Sequence, residues 1–276
     1  MKNIAVFFDA TPAGRRVLES AARLAGEQEA RLIGICVAPP TTGMPDNAFV
    51  RGDTIRKVLD ELDETQARRL QDAGEALWLM GTRYSVSTEF RVITFSEASH
   101  HTSLLALYCD LVVVANPAVG LPRQWTLDHL LEQIGLPLLV VPDAWQGNTI
   151  GWKIALVWNS GRLARRTVAD ALPLLITAQT VDVLITDPES LSRLPEGGTV
   201  SDMTEYLKGH GVHVDSFRLG KNPERLADNV LEHAVGTNTD LIVFAAGEHP
   251  EPEGRRDGMV VRKILETEYL PMFVSR

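Results

Sequence analysis

The sequence predicts an α/β protein made of two tandem, mostly parallel five-stranded sheet domains, and three observations carry that reading. Short apolar runs rich in β-branched residues alternate with longer amphipathic stretches, as in βα units whose sheet is buried on both faces. One stretch repeats: Ile4-Ala-Val-Phe-Phe-Asp9-Ala-Thr-Pro-Ala-Gly-Arg15-Arg16 superposes without gaps on Ile154-Ala-Leu-Val-Trp-Asn159-Ser-Gly-Arg-Leu-Ala-Arg165-Arg166. Further on, Cys109-Asp110-Leu-Val-Val-Val matches Thr239-Asp240-Leu-Ile-Val-Phe, and Leu136-Pro-Leu-Leu-Val-Val matches Leu270-Pro-Met-Phe-Val-Ser, at shorter offsets. Two copies of one unit that differ by loop insertions account for all three matches.

Five strands are predicted in each copy. In the first they lie near 3–8, 31–37, 87–93, 110–115 and 136–141; in the second near 152–158, 181–186, 212–218, 240–245 and 270–275. After the first strand, Thr11 is an N-cap followed by Pro12 at the first helical position, and Val17, Leu18, Ala21, Leu24 and Ala25 form one apolar stripe. Pro39-Pro40-Thr-Thr-Gly43 then makes a loop. Ile55, Val58, Leu59, Leu62, Leu70, Ala73 and Leu77 recur at helical spacing, which predicts one long helix. The polar stretch Trp145-Gln-Gly147-Asn148 suits a short linker, so the domains are expected at 1–146 and 149–276.

Composition narrows the function classes. The chain has 276 residues, 45% apolar and 23% charged, enough to bury one large or two ordinary cores. Its net charge of −9 disfavours a generic nucleic-acid binder, which needs a basic surface. Cys36 and Cys109 both sit beside apolar runs and are expected as buried thiols in a reducing compartment; two cysteines cannot supply a zinc quartet. The N-terminal apolar run meets Asp9 too early for a signal peptide, and no apolar run reaches membrane-spanning length. A soluble cytoplasmic protein with no membrane partner is the expectation.

In an open parallel sheet, ligands bind beyond the carboxyl ends of the strands, where the strand order reverses. Two places in each copy qualify. One is the turn after the first strand, Asp9-Ala10-Thr11 and Asn159-Ser160-Gly161; the other is the loop after the fourth, 116–124 and 247–258.

The order of these pieces resembles the universal stress protein family in its tandem two-domain form: an apolar strand ending in Asp9, an arginine-bearing helix, Asp110-Leu-Val-Val-Val, a loop, a helix and a final Leu136-Pro-Leu-Leu-Val-Val. The resemblance implies a Rossmann-like topology of the adenine nucleotide alpha hydrolase type, with strand order 3-2-1-4-5. It also implies ATP or AMP as the candidate cofactor, a strand-1 aspartate that reads adenosine, and a phosphate loop of pattern G-x2-G-x9-G-[S/T]. Glycines there let backbone N–H groups approach phosphate oxygens. The nucleotide positions carried over are Asp9, Ala10, Thr11 and Val37 in the first copy, and Asn159, Ser160, Gly247, Gly254, Arg255 and Gly258 in the second.

Against that pattern each copy keeps a different fragment. In the second, Gly258 stands at the third glycine position, but Ala245 and Glu248 occupy the first two and Met259 the hydroxyl position. Glu248, Glu251 and Glu253 would repel a triphosphate, and Arg255 with Arg256 offset only part of that. In the first copy Asp9 survives, whereas Ala115, Ala118 and Gln124-Trp125 break the glycine pattern.

The bland readings are equally concrete. Asp9 either contacts a ligand or caps the loop before the helix. Gly254-Arg-Arg-Asp-Gly258 either binds an anion or is a solvated loop, and His100-His101 reads as a polar loop or helix start because no further ligands stand at zinc-like spacing. Ser160-Gly161-Arg162 lacks P-loop spacing. The arginine pairs 15–16 and 165–166 sit where the helix dipole disfavours cations, which hints at a partner carboxylate or anion. Trp78, Trp125, Trp152 and Trp158 are expected as core or interface aromatics. No nucleophile, base and acid set is legible, and His129 and His249 stand alone.

The expected function is therefore a non-catalytic stress-response protein with degraded ATP or AMP pockets, acting by protein association or ligand sensing. The alternative is a weak ATP binder or slow ATPase using one composite site built on Asp9 and the Arg255-Arg256 pair. Partner expectations are an intramolecular pseudo-dimer through the last strands (138–141 and 272–275), a homodimer, and regulatory proteins of unknown identity.

Overall fold

The computed structural model describes residues 1–38, 50–94, 107–121, 125–159, 161–186, 200–219, 225–246, 263 and 269–276. The chain divides into two compact units, Met1–Asp143 and Ala144–Arg276. In the first, the strands are β1 (Asn3–Phe7), β2 (Arg31–Ala38), β3 (Val50–Arg51), β4 (Thr88–Thr94), β5 (Leu111–Asn116) and β6 (Leu138–Pro142), ordered β3-β4-β2-β1-β5-β6. All pairings are parallel except β3 on β4. The five parallel strands thus follow the predicted 3-2-1-4-5 order. At the centre Ala5 is paired with Ile33 on one side and Val112 on the other. Residues 4–7 and 111–114 are fully buried, which is why these strands read as unbroken apolar runs.

Helix α1 (Pro12–Glu27) begins as its sequence predicts: Gly14 N–H donates to the Thr11 side chain, and Val17, Leu18, Ala21, Leu24 and Ala25 are buried. The predicted long helix is instead two, α2 (Thr54–Glu61) and α3 (Glu64–Tyr84). Leu62 is extended, and the Asp63 carboxylate accepts from Gln66 N–H at 2.9 Å, so a local cap outcompetes continuation of the helix. Helix α3 settles on β2 over Gly34, where any Cβ would fall 2.6 Å from a Leu77 methyl and 2.9 Å from the Phe8 ring. Strand β3 carries no periodic signal in two residues and was not expected. Helix α4 (Leu127–Gln133) is capped by Thr126, which accepts from His129 N–H.

The second unit contains β7 (Lys153–Trp158), α5 (Arg162–Thr177), β8 (Thr180–Ile185), α6 (Val200–Gly209), β9 (Val214–Arg218), α7 (Leu226–Gly236), β10 (Leu241–Ala245) and β11 (Met272–Ser275). Its strands run parallel in the order β9-β8-β7-β10-β11, again 3-2-1-4-5.

The repeated aspartates have the same structural task in each unit. Asp110 accepts from the backbone N–H groups of Lys2 (2.6 Å) and Asn3 (2.9 Å). Asp240, buried, accepts from the Thr149 hydroxyl (2.6 Å) and from the N–H groups of Gly151 (3.0 Å), Trp152 (3.2 Å) and Lys153 (3.0 Å). Each carboxylate ties the entry of its unit's first strand to that of the fourth. The arginine pairs also find carboxylates: Arg16 meets Asp143 at 2.5 Å, and Arg166 meets Asp170 at 2.9 Å one turn along α5. Asp170 further accepts from the Ser275 hydroxyl at 2.5 Å.

Candidate functional site

In the first unit the carboxyl ends of β1, β2 and β5 frame the expected crevice. Just past β1, Phe8 N–H donates to Ile35 C=O at 3.1 Å, and the Cys36 thiol donates to Phe8 C=O at 3.2 Å, fastening the strand end to β2. Burial, with a smaller contribution from the Asp9 charge, pushes the Cys36 thiol far above its ordinary range, so it stays a protonated donor. Cys109 is likewise pushed up to about 12, chiefly by burial. Neither cysteine is a thiolate at neutral pH, and both are free.

One oxygen of the Asp9 carboxylate is engaged locally. Its Oδ1 accepts from Thr11 N–H at 3.0 Å and from the Thr11 hydroxyl, and Thr11 Oγ1 accepts from Gly14 N–H at 3.1 Å. The relay closes the N-terminus of α1. Gly14 makes it fit: a Cβ there would lie 2.2 Å from Asp9 Oδ1 and 2.3 Å from Asp9 C=O. Ala10 and Val37 are half-buried, and Val37 pairs with Ile93 across β2 and β4.

The loop after β5 lies on the same spot. Gly120 adopts a φ of +68°, and a Cβ on it would sit 2.4 Å from the carbonyl carbon and oxygen of Phe8. Only a glycine permits that approach. Trp125 is buried and packs edge-on against Phe7 with ring centroids 5.9 Å apart. Main chain of the loop after β5 therefore packs directly on the backbone just past β1.

The second unit varies the theme. Asn159 Oδ1 accepts from Gly161 N–H at 3.0 Å, the counterpart of the bond from Thr11 N–H to Asp9. Where the first copy has Gly14 the second has buried Ala164, and Gly161, the N-cap of α5, makes no side-chain cap bond. Trp158, at the position of Phe8, is buried. Ser160, Gly247, Gly254, Arg255 and Gly258 lie outside the described residues, as do His100, His101, His249 and the glutamates of the 247–258 stretch.

Sequence reasoning singled out Asp9 and Thr11 and expected both cysteines buried, which holds for Cys36 while Cys109 is only partly buried, but it missed Gly14 and Gly120. A glycine in the first turns of α1, where it weakens a helix, is the one signal that could have drawn notice to Gly14. Of the tryptophans, Trp125 and Trp158 are buried as expected, whereas Trp78 and Trp152 are exposed. Among the described residues no group of three metal-ligating side chains forms, and no helix is long and apolar enough to cross a membrane.

A fold comparison places this geometry. The chain is similar to a universal stress protein from Archaeoglobus fulgidus DSM 4304, with a TM-score of 0.66, 11% identity, and coverage of 99% of this chain and 98% of that one. It is also similar to a functionally unknown protein from Pseudomonas aeruginosa PAO1, with a TM-score of 0.59, 16% identity, and coverage of 100% and 92%. No family model matches the sequence, and no curated protein matches it. The chain has the α/β fold of universal stress protein structures along its whole length.

Proposed function

We propose that this chain is a tandem universal stress protein that works without catalysis, its adenylate crevices degraded, through association with other proteins or by sensing a ligand. The observation that carries the reading is the packing at the exit of β1: Gly120 lies against the Phe8 backbone, and one oxygen of the Asp9 carboxylate is held by Thr11. An adenosine in that place has to displace a loop and take a carboxylate from a helix cap. The phosphate loop offers Ala115 and Ala118 where close approach of main-chain N–H groups needs glycine. In the second unit, Asn159 replaces the aspartate that the family uses. Within the same proposal, the apolar last strands, each at one edge of its own sheet, serve pairing of the units, and the protein resides in the cytoplasm.

Native mass spectrometry of freshly purified protein tests the reading. Bare chain mass, or a bound molecule that is not a nucleotide, is the expected result. One equivalent of adenylate per chain would overturn it.

A further inference from the structure

Four large, exposed apolar side chains of the second unit stand where its strands begin, at the opposite end from Asn159. Trp152, just before β7, is 51% exposed; Ile176 in the last turn of α5, Val235 in the last turn of α7 and Tyr269 ahead of β11 are 46%, 72% and 75% exposed. Backbone hydrogen bonds bring them to one rim. Trp152 C=O accepts from Gln179 N–H at 2.8 Å, which sets the end of α5 beside it. Trp152 N–H donates to Asp240, whose own N–H donates to Lys153 C=O at 3.0 Å, and Asn238 N–H closes the end of α7 on Val235 C=O at 3.3 Å. Leu241 pairs with Ile154 and Ile242 with Met272, so Trp152 and Tyr269 are both level with Thr239.

The first unit shows that the fold does not require this rim to be apolar. The positions aligned with Trp152, Ile176 and Tyr269 are Lys2, Gly26 and Gly135, one charge and two residues without side chains. The base under Trp152 is also well ordered, because the Asp240 carboxylate holds the N–H groups of Gly151, Trp152 and Lys153 together. A surface held on ordered backbone loses little further freedom when it associates.

The four side chains present roughly 500 Å² of apolar surface, as much as the largest patch on a typical monomer. Two such patches face to face remove about 1,000 Å² from water before flanking atoms are counted, where specific though weak interfaces begin. Charge favours a second copy as the occupant. Each chain carries a net charge of −9, so two copies repel wherever acidic surfaces meet. At this rim Gln179 and Asn238 are neutral, Lys153 is half-buried and Asp240 is buried on its donors, which leaves aromatic and aliphatic contacts, the composition of an interface core.

We propose that this rim, centred on Trp152, is the face through which two copies of the chain pair about a twofold axis. The pairing uses neither crevice and stands whether or not adenylate binds.

Sedimentation velocity of the intact chain across a concentration series tests it. Expected is a monomer–dimer equilibrium with a dissociation constant of about 1–100 μM, the weak range suited to an interface of this size. Trp152→Lys, which installs the residue the first unit carries, weakens pairing about thirtyfold or more, as loss of a central aromatic anchor does. Val235→Lys, at an exposed helix end, weakens it with an unchanged melt and so separates lost pairing from lost folding. Trp78→Lys removes another exposed tryptophan, on α3 of the first unit, and leaves the dimer intact. A wild-type chain that stays monomeric up to about 200 μM overturns the proposal. So does a dimer that survives both Trp152→Lys and Val235→Lys, which assigns pairing to another face.

Discussion

Replacing Asp9 with alanine separates a cap from a ligand contact. In the structure its carboxylate spends one oxygen on two donors of Thr11, and Thr11 spends its hydroxyl on Gly14 N–H, so Asp9→Ala loosens the first turn of α1. Loss of a capping side chain costs about 0.5–2 kcal/mol. Because Asp9 is not fully buried and water can replace part of what it gives, about 1 kcal/mol is the working value. In a cooperative unit of this size that lowers Tm by roughly 2–4 °C. Urea unfolding followed by circular dichroism reads the change as a lower midpoint at constant slope. Thr11→Ala should cost a similar amount, and the double variant less than the two together, since both act through one relay. Undiminished stability in Asp9→Ala, together with loss of a measurable adenylate affinity in that variant, would refute the capping assignment.

Gly120→Ala forces a side chain into a left-handed backbone and against Phe8, and should destabilise the first unit by about 2–4 kcal/mol in the same assay, where an exposed flexible loop would tolerate it. Asp240→Ala strips buried N–H groups of their acceptor and should cost about 3 kcal/mol, against about 1 kcal/mol for the more exposed Asp110→Ala; equal losses would contradict the anchoring role. Burial alone would raise the Glu89 carboxyl of β4, yet the hydrogen bond from Arg91 and the charges of Arg91, Arg31 and Arg51 outweigh it and lower the group on folding. Its contribution is therefore present above the unfolded value of 4.5 and is lost as pH falls through the folded one. Acid unfolding of Glu89→Gln should accordingly be shallower than that of wild type below that pH, and parallel curves would remove Glu89 from the account. Chains cut at Gly147 should self-associate through their apolar last strands, read by sedimentation, and two well-behaved monomers would refute that pairing.

Most of the architecture was legible because burial on both faces writes central strands as continuous apolar runs, and because duplication lets each copy check the other. Strand ends fall within a residue or two of expectation, as at Arg31–Ala38 and Leu241–Ala245. Helix α2 and helix α3 were not separable by periodicity, since the break at Leu62 comes from the Asp63 cap and not from a loss of apolar spacing. Position Asp9 could be read at the end of a strand, but the direction of its carboxylate depends on Gly14 and Thr11 together. The approach of Gly120 to the Phe8 backbone joins residues far apart in the chain, for which local pattern holds no signal.

Direct titration of ATP into the intact protein bears on the central claim more squarely than any variant does. The account predicts no saturable heat at millimolar nucleotide that depends on Asp9, and no Tm shift. A micromolar dissociation constant at one site per chain, lost in Asp9→Ala, would contradict it.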